Sequence, residues 1–189
     1  MNVAPSFDAR QAQRVEKFLQ LVNWAGHRLG SDGPPLVDMS VLRSLPKGTL
    51  GHAWAQHLDD TGLEPFCKGP RRLQLHDGLH VLTGYGTDPI GEAEVQAFLM
   101  GAKFRPVHAL LLLGLLRMIN RQRPCQKILL NEAEIRTRLL NAYGRGRNSK
   151  FDPDTWQPEK QWQDSLADVR AALGIRRAVE KVAYHSLTP

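Results

Sequence analysis

Residues Arg71–Glu92 read "RRLQLHDGLHVLTGYGTDPIGE". Fold and chemistry both turn on this stretch. Pro70 precedes it and suits the first position of a helix. At about 100° per residue, Leu75, Leu79 and Leu82 share one stripe of that helix, while His76, Asp77 and His80 share the opposite one. The spacing predicts a helix ending near Thr83, a loop at "GYGTD", and a second helix opened by Asp88-Pro89 that runs to about Ala102. Gly78 interrupts the first helix at a cost of about 1 kcal/mol in propensity. Its presence there predicts close approach by a neighbouring helix.

The same periodicity continues in both directions. Val15, Phe18, Leu19, Val22 and Leu29 mark a long helix from Asp8 to Leu29, stopped by Gly30. "MSVLRSLPKGTLG" holds a short helical segment broken by Pro46, and Thr49 caps a further helix that ends near Gly62. "RPVHALLLLGLLRMI" is apolar nearly all round, which predicts a buried central helix. Asn131 and Glu134 form a capping box for a helix with a stripe of Ile135, Leu139 and Tyr143, ended by Gly144 and Gly146. "SLADVRAALGI" is a last helix, stopped by Gly174. No stretch sustains period-two alternation. The expected architecture is all-α: a single-domain irregular helical bundle of about seven helices over residues 1–175. Residues 176–189 read as a loose C-terminal tail.

A chain of 189 residues buries roughly 70% of its unfolded surface and needs neither disulfide nor metal merely to fold. Cys67 and Cys125 have no paired spacing and fit a reducing compartment. The N-terminus reads as neither a secretory signal nor a mitochondrial presequence, which gives a cytoplasmic expectation. The longest apolar run, Ala109–Leu116, is far short of the ~20 residues that span a bilayer. The net charge of +6 is concentrated in one segment, where Arg121, Arg123, Lys127, Arg136, Arg138, Arg145, Arg147 and Lys150 face only Glu132 and Glu134. Such a patch suits anionic lipid or a phosphate-bearing ligand. It lacks a nucleic-acid reader motif and aromatic interleaving, so no nucleic-acid partner is expected.

His76 and His80 stand one turn apart on one face, and Glu92 opens the following helix. With Asp77 they make two nitrogens and two oxygens able to hold a divalent cation. Ordinary polar surface groups and a carboxylate facing a helix dipole explain the same residues. "HDGLH" differs from the zinc-protease pattern in having aspartate for glutamate, which reaches a bound water less well. A His-Asp metal phosphohydrolase is a further alternative, with His52 or His57 as its upstream histidine. "GYGTDPIG" follows a helix, not a strand, and is no dinucleotide fingerprint.

With these residues laid out, the chain resembles the coenzyme Q biosynthesis protein family marked by His-Asp-x-x-His-x(11)-Glu, here His76, Asp77, His80 and Glu92. "LPKGTLGHAWAQHL" is similar to the family's Leu-Pro-x-Gly-Thr-x-Gly segment. "AYGRGRNSK", Trp156, Trp162 and "SLADVRAALGI" resemble its C-terminal part, so the likeness runs from Leu45 to Ile175. The resemblance implies an all-helical protein at a membrane surface. It implies a divalent metal on His76, Asp77, His80 and Glu92: zinc foremost, with iron(II), manganese or magnesium as alternatives. It also implies a prenylated aromatic or isoprenoid lipid in an apolar groove, for which the Val107–Ile119 helix, Phe98 and Phe104 are candidates. Arg145, Arg147 and Lys150 are candidates for contact with a head group or anionic lipid. The implied roles are decarboxylation and hydroxylation at C1 of a prenylated hydroxybenzoate, or organisation of other quinone-biosynthesis enzymes as a non-catalytic scaffold. A bacterial setting and a homodimer complete the expectations.

Overall fold

The computed structural model describes residues 35–66, 70–122 and 131–176. The helix expected over 8–29 and the tail from residue 177 onward lie outside these. Local sequence signals start and stop the elements. The Asp38 carboxylate accepts from the Ser40 and Val41 amides and opens α1, Met39–Ser44. The Thr49 hydroxyl accepts from the His52 amide to open α2, Leu50–Thr61, which ends at Gly62. The Asp88 carboxylate caps α5, Pro89–Ala102, with Pro89 in its first turn. The Asn131/Glu134 capping box forms as expected and opens α7, Glu132–Arg147.

Between these lie α3, Arg71–Gln74, and α4, His76–Thr83. The single helix expected from Pro70 to Thr83 is thus divided at Leu75, whose ψ flattens to −8°. Pro70 stands just before α3 and not inside it. The chain continues through α6, Pro106–Gln122, a short 3-10 turn at Pro158–Lys160, and α8, Leu166–Ala172. No strand occurs among the described residues; one isolated bridge ties Thr49 to Ser165 at the starts of α2 and α8. The fold is all-α. No described helix is long and apolar enough to cross a membrane.

Three layers place the site. Helix α5 lies against α7 on one side and α6 on another, while α2 packs on α4. A Cβ on Gly101 would strike the Tyr143 carbonyl of α7, and one on Gly146 would strike the Phe98 carbonyl of α5. These two helices therefore meet backbone to backbone. This is also why Gly146 does not end α7 as the sequence suggests: it serves a close approach inside a helix that continues to Arg147. Gly78 does what its position predicts, since a Cβ there would fall on the Trp54 ring of α2. Trp54 in turn stacks on Trp156, 6.1 Å between centroids, and takes Trp162 edge-on at 5.1 Å.

One expectation is reversed. The apolar α6 is not the buried centre: Leu110 is 69% and Leu113 53% exposed, and Val107 is exposed with them. The central positions belong to α4, buried along its whole length, and to α5, buried from Pro89 to Leu99. Helix α6 contributes Leu115 and Ile119 to a smaller apolar cluster with Ile90, Ala93 and Ile135. Its remaining leucines exceed what α5 and α7 can cover.

Candidate metal centre

Helix α4 presents His76 and His80 to the first turn of α5, where Glu92 sits. The loop between them brings the two helices face to face. Gly84 takes φ 76°, a conformation that costs glycine little, and closes α4 with a bond from its amide to the His80 carbonyl at 2.8 Å. A Cβ on Gly91 would collide with the Gly86 backbone, so the loop lies directly on the first turn of α5.

Three donor atoms converge. His80 Nε2 is 3.2 Å from His76 Nε2 and 3.2 Å from Glu92 Oε1, and His76 Nε2 is 3.1 Å from Glu92 Oε2. All three residues are buried, and one ligand atom from each lies within 4.8 Å of the others. Donors about 2.0–2.1 Å from a tetrahedral zinc stand about 3.3 Å apart, so the spacing is that of a ligand set. His80 Nδ1–H donates to the Tyr85 carbonyl at 3.2 Å. A carbonyl can only accept, so this bond puts the proton on Nδ1 and leaves the Nε2 lone pair free for a cation.

Charge couples these groups to one another. Burial alone would raise the Glu92 carboxyl, but His76 and His80 overcome it and hold the group below the usual carboxylate range. Burial disfavours a charged His80, yet Glu92, the Tyr85 carbonyl and Asp77 outweigh it and raise its pKa. Burial raises Asp77, partly offset by the two imidazoles and reinforced by Glu92. Buried acceptors without a hydrogen bond gather here: Asp77 Oδ2, and Glu92 Oε2, which has only the His76 ring nitrogen beside it at 3.1 Å. Such orphaned oxygens are costly unless a positive group meets them. The donor set, two imidazoles with a carboxylate, therefore fits a divalent cation, and it suits zinc or iron(II) better than magnesium.

The sequence named four donors; the structure brings His76, His80 and Glu92 together and leaves Asp77 beside them, outside the 4.8 Å set. A further histidine stands at this centre, outside the His-Asp-x-x-His-x(11)-Glu pattern. His57, from α2, lies parallel to His80 with ring centroids 5.6 Å apart and planes inclined by 13°. Burial, with His80 and His76 nearby, pushes its pKa down to about 4 against the opposing pull of Glu92. The signal was available: His57, half-buried, falls one turn after Trp54 and next to Leu58, at the edge of the stripe that α2 buries. The phosphohydrolase pattern called for such an upstream histidine, but no downstream aspartate joins the three donors among the described residues.

The remaining predicted contacts are dispersed. Arg145 donates to the Thr83 and Arg176 carbonyls and sits 4.7 Å from the Tyr85 ring centroid. Arg147 and Lys150 are both exposed. An apolar groove of about 440 Å³ opens between α5, α6 and α7, lined by residues including Ala97, Met100, Leu112, Leu116, Ile119 and Leu139. Of the residues expected to line such a groove, Leu112, Leu116 and Ile119 of α6 do so. Phe98 is instead wholly buried in the core, and Phe104 is 64% exposed and does not line it.

Comparison with known proteins bears on this arrangement. The chain is 27% identical over 170 residues to the Drosophila ananassae ubiquinone biosynthesis protein COQ4 homolog, mitochondrial, covering 79% of this chain and 60% of that one. It is 29% identical over 154 residues to the Bos taurus counterpart, covering 74% and 55%, and 26% identical over 163 residues to that of Homo sapiens, again 74% and 55%. The match thus spans little more than half the length of these relatives. The fold is shared with a crystal structure of a Nostoc punctiforme PCC 73102 protein named for ubiquinone biosynthesis, with TM-score 0.63, 24% identity, and 87% of this chain covered against 81% of that one. Residues 34–179 match the family described as "Coenzyme Q (ubiquinone) biosynthesis protein Coq4", and the chain belongs to that family.

Proposed function

We propose that this chain is a metal-dependent protein of ubiquinone-type quinone biosynthesis that acts on a prenylated hydroxybenzoate at a membrane surface. The observation that carries the reading is the convergence of His76, His80 and Glu92 in a buried compartment. Family membership supplies the pathway. The reaction it supports is exchange of the C1 carboxyl for a hydroxyl. That exchange is a two-electron oxidation releasing carbon dioxide, so an oxidant such as dioxygen or a separate electron acceptor enters from outside the chain.

A divalent cation held by His76, His80 and Glu92 would supply Lewis acidity, holding an aromatic acid by its oxygens and stabilising charge as the carboxyl leaves. The protein's own part is orientation. Tyr85 fixes the His80 tautomer, Gly78 lets α4 lie against α2, and burial excludes bulk water. Purified protein loaded with zinc or iron(II) should convert a prenylated 4-hydroxybenzoate under air, with labelled carbon dioxide as the readout. His80→Ala should lose both metal content and conversion. A metal-free His80→Ala protein with full activity defeats the proposal.

A second reading has its own observation, the apolar groove between α5, α6 and α7. Its volume falls within the range of ligand sites, and it would receive part of an isoprenoid chain. Here the protein carries the lipid and gathers partner enzymes, while the metal fixes structure. Native mass spectrometry that finds bound isoprenoid and metal, with no turnover by the loaded protein, favours this reading.

A further inference from the structure

His57 stands at the metal centre without a task in the reading above. It comes from α2, which supplies none of the three converging donors. Its ring runs alongside His80, and its Nε2 is buried with no hydrogen-bond partner. Core stacking alone would leave that nitrogen uncompensated, whereas a buried polar atom ordinarily meets a partner. It is also not one of the three atoms that converge within 4.8 Å. A group that bonds the cation's guest, and not the cation, stands beside the ligands without being one of them, as His57 does with its ring centroid 5.6 Å from that of His80. A ligand oxygen about 2 Å from a cation, and then a hydrogen bond of about 2.8 Å, reach roughly 5 Å outward. Three protein donors leave at least one coordination position for such a guest.

We propose that His57 is a positioning residue for the substrate, donating from Nε2–H to the carboxylate oxygen that an aromatic acid places on the cation. This rests on the metal-dependent reading above. The carboxylate is the group the reaction must orient, because the bond to be broken joins it to the ring. A hydrogen bond from one side fixes the rotation of the carboxylate about that bond, which the cation by itself leaves free. The assignment also gives α2 a reason to carry a histidine where its neighbours Trp54 and Leu58 are wholly buried.

The test uses the full chain loaded with cobalt(II), whose visible spectrum reports changes in its ligands, and 4-hydroxybenzoate as the probe. In the wild type the acid should perturb the cobalt bands with saturation. His57→Phe should keep cobalt affinity within about twofold while weakening 4-hydroxybenzoate by about tenfold or more, the scale of one lost hydrogen bond to a charged oxygen. His57→Gln, which retains a donor, should recover most of that loss. Both variants are checked for wild-type helicity by circular dichroism. Unchanged acid affinity in His57→Phe overturns the proposal. So does a large fall in cobalt affinity, which would make His57 a ligand, or misfolding of both variants, which would make it structural. Wild-type protein that takes up cobalt but shows no response to the acid overturns the positioning role and leaves the metal reading intact. Wild-type protein that takes up no cobalt overturns both.

Discussion

Helices α4 and α6 exchange the places that their compositions suggest. Helix α4 carries His76, Asp77 and His80, yet every one of its residues is buried. Helix α6 contains the run "ALLLLGLL", yet Leu110 and Leu113 face out. The difference lies in what each side chain finds inside. The polar stripe of α4 meets Glu92 and the Tyr85 carbonyl, so its burial is matched by hydrogen bonds and opposite charge. The leucines of α6 meet only as much apolar surface as α5 and α7 offer, and the surplus stays exposed. Apolar character permits burial without requiring it. For polar groups, burial is the informative observation.

The largest expected effect comes from the leucine side of α4. Leu82 is fully buried in the main core. Leu82→Ala should cost about 2–5 kcal/mol, from lost transfer energy and the cavity left behind. Urea denaturation at fixed pH measures it. A cost below about 1 kcal/mol would mean that α4 is less central than its burial implies.

The polar side of the same helix is probed by the cation. If His76, His80 and Glu92 bind a divalent ion only in the folded state, zinc at about one hundred times its dissociation constant should stabilise the protein by about 2.7 kcal/mol. Thermal melts with and without chelator read this directly. Glu92→Gln should remove most of the gain by taking away the negative donor. Equal melting temperatures in both conditions for the wild type would count against the centre.

How much of this was legible beforehand depended on whether a feature is local. Caps at Thr49, Asp88 and Asn131 are local, because a side chain bonds an amide two or three residues away, and they were read correctly. The pairing of His76 with His80 is local to one helical turn. Glu92 joins them through a short loop whose glycines advertise the reversal. Helix ends at glycines were less secure, since Gly62 stops α2 while Gly146 serves packing against Phe98. A single sequence does not separate those two uses of glycine. The place of His57 beside the apolar stripe of α2 was legible, but its stacking on His80 and the exposed side of α6 were not, because each depends on which distant helix lies opposite. The Tyr85 carbonyl is main chain and carries no side-chain signal at all.

The buried side of α6 gives a smaller, pH-dependent effect. His108 is buried, and its Nδ1–H donates to Gln96 Oε1 at 3.0 Å. Burial, with Arg72 and Arg105 nearby and Asp154 opposing, pushes its pKa down to about 4. The unfolded chain takes up a proton near pH 6.5 that the folded state refuses. Stability should therefore fall as pH drops from about 6.5 to about 4, by on the order of 2 kcal/mol after discounting for solvent screening. Above that window His108 contributes no slope. His108→Gln should flatten the curve between those pH values, as urea midpoints at several pH values would register. An unchanged slope would assign the acid sensitivity to other groups.

The smallest effect belongs to the outward face of α6. Leu110 is mostly exposed, so Leu110→Ala removes little buried surface, and alanine has slightly better helix propensity. The expected change is within about 0.5 kcal/mol, roughly a tenth of the upper range for Leu82→Ala. The pair of leucine substitutions therefore measures the exchange of roles between the two helices with side-chain chemistry held constant. If Leu110→Ala instead costs more than about 2 kcal/mol in dilute solution, the face is covered in the molecule as it exists there. Repeating the melt over a tenfold range of protein concentration then separates cover supplied by a second copy, which shifts with concentration, from cover supplied by the chain itself, which does not.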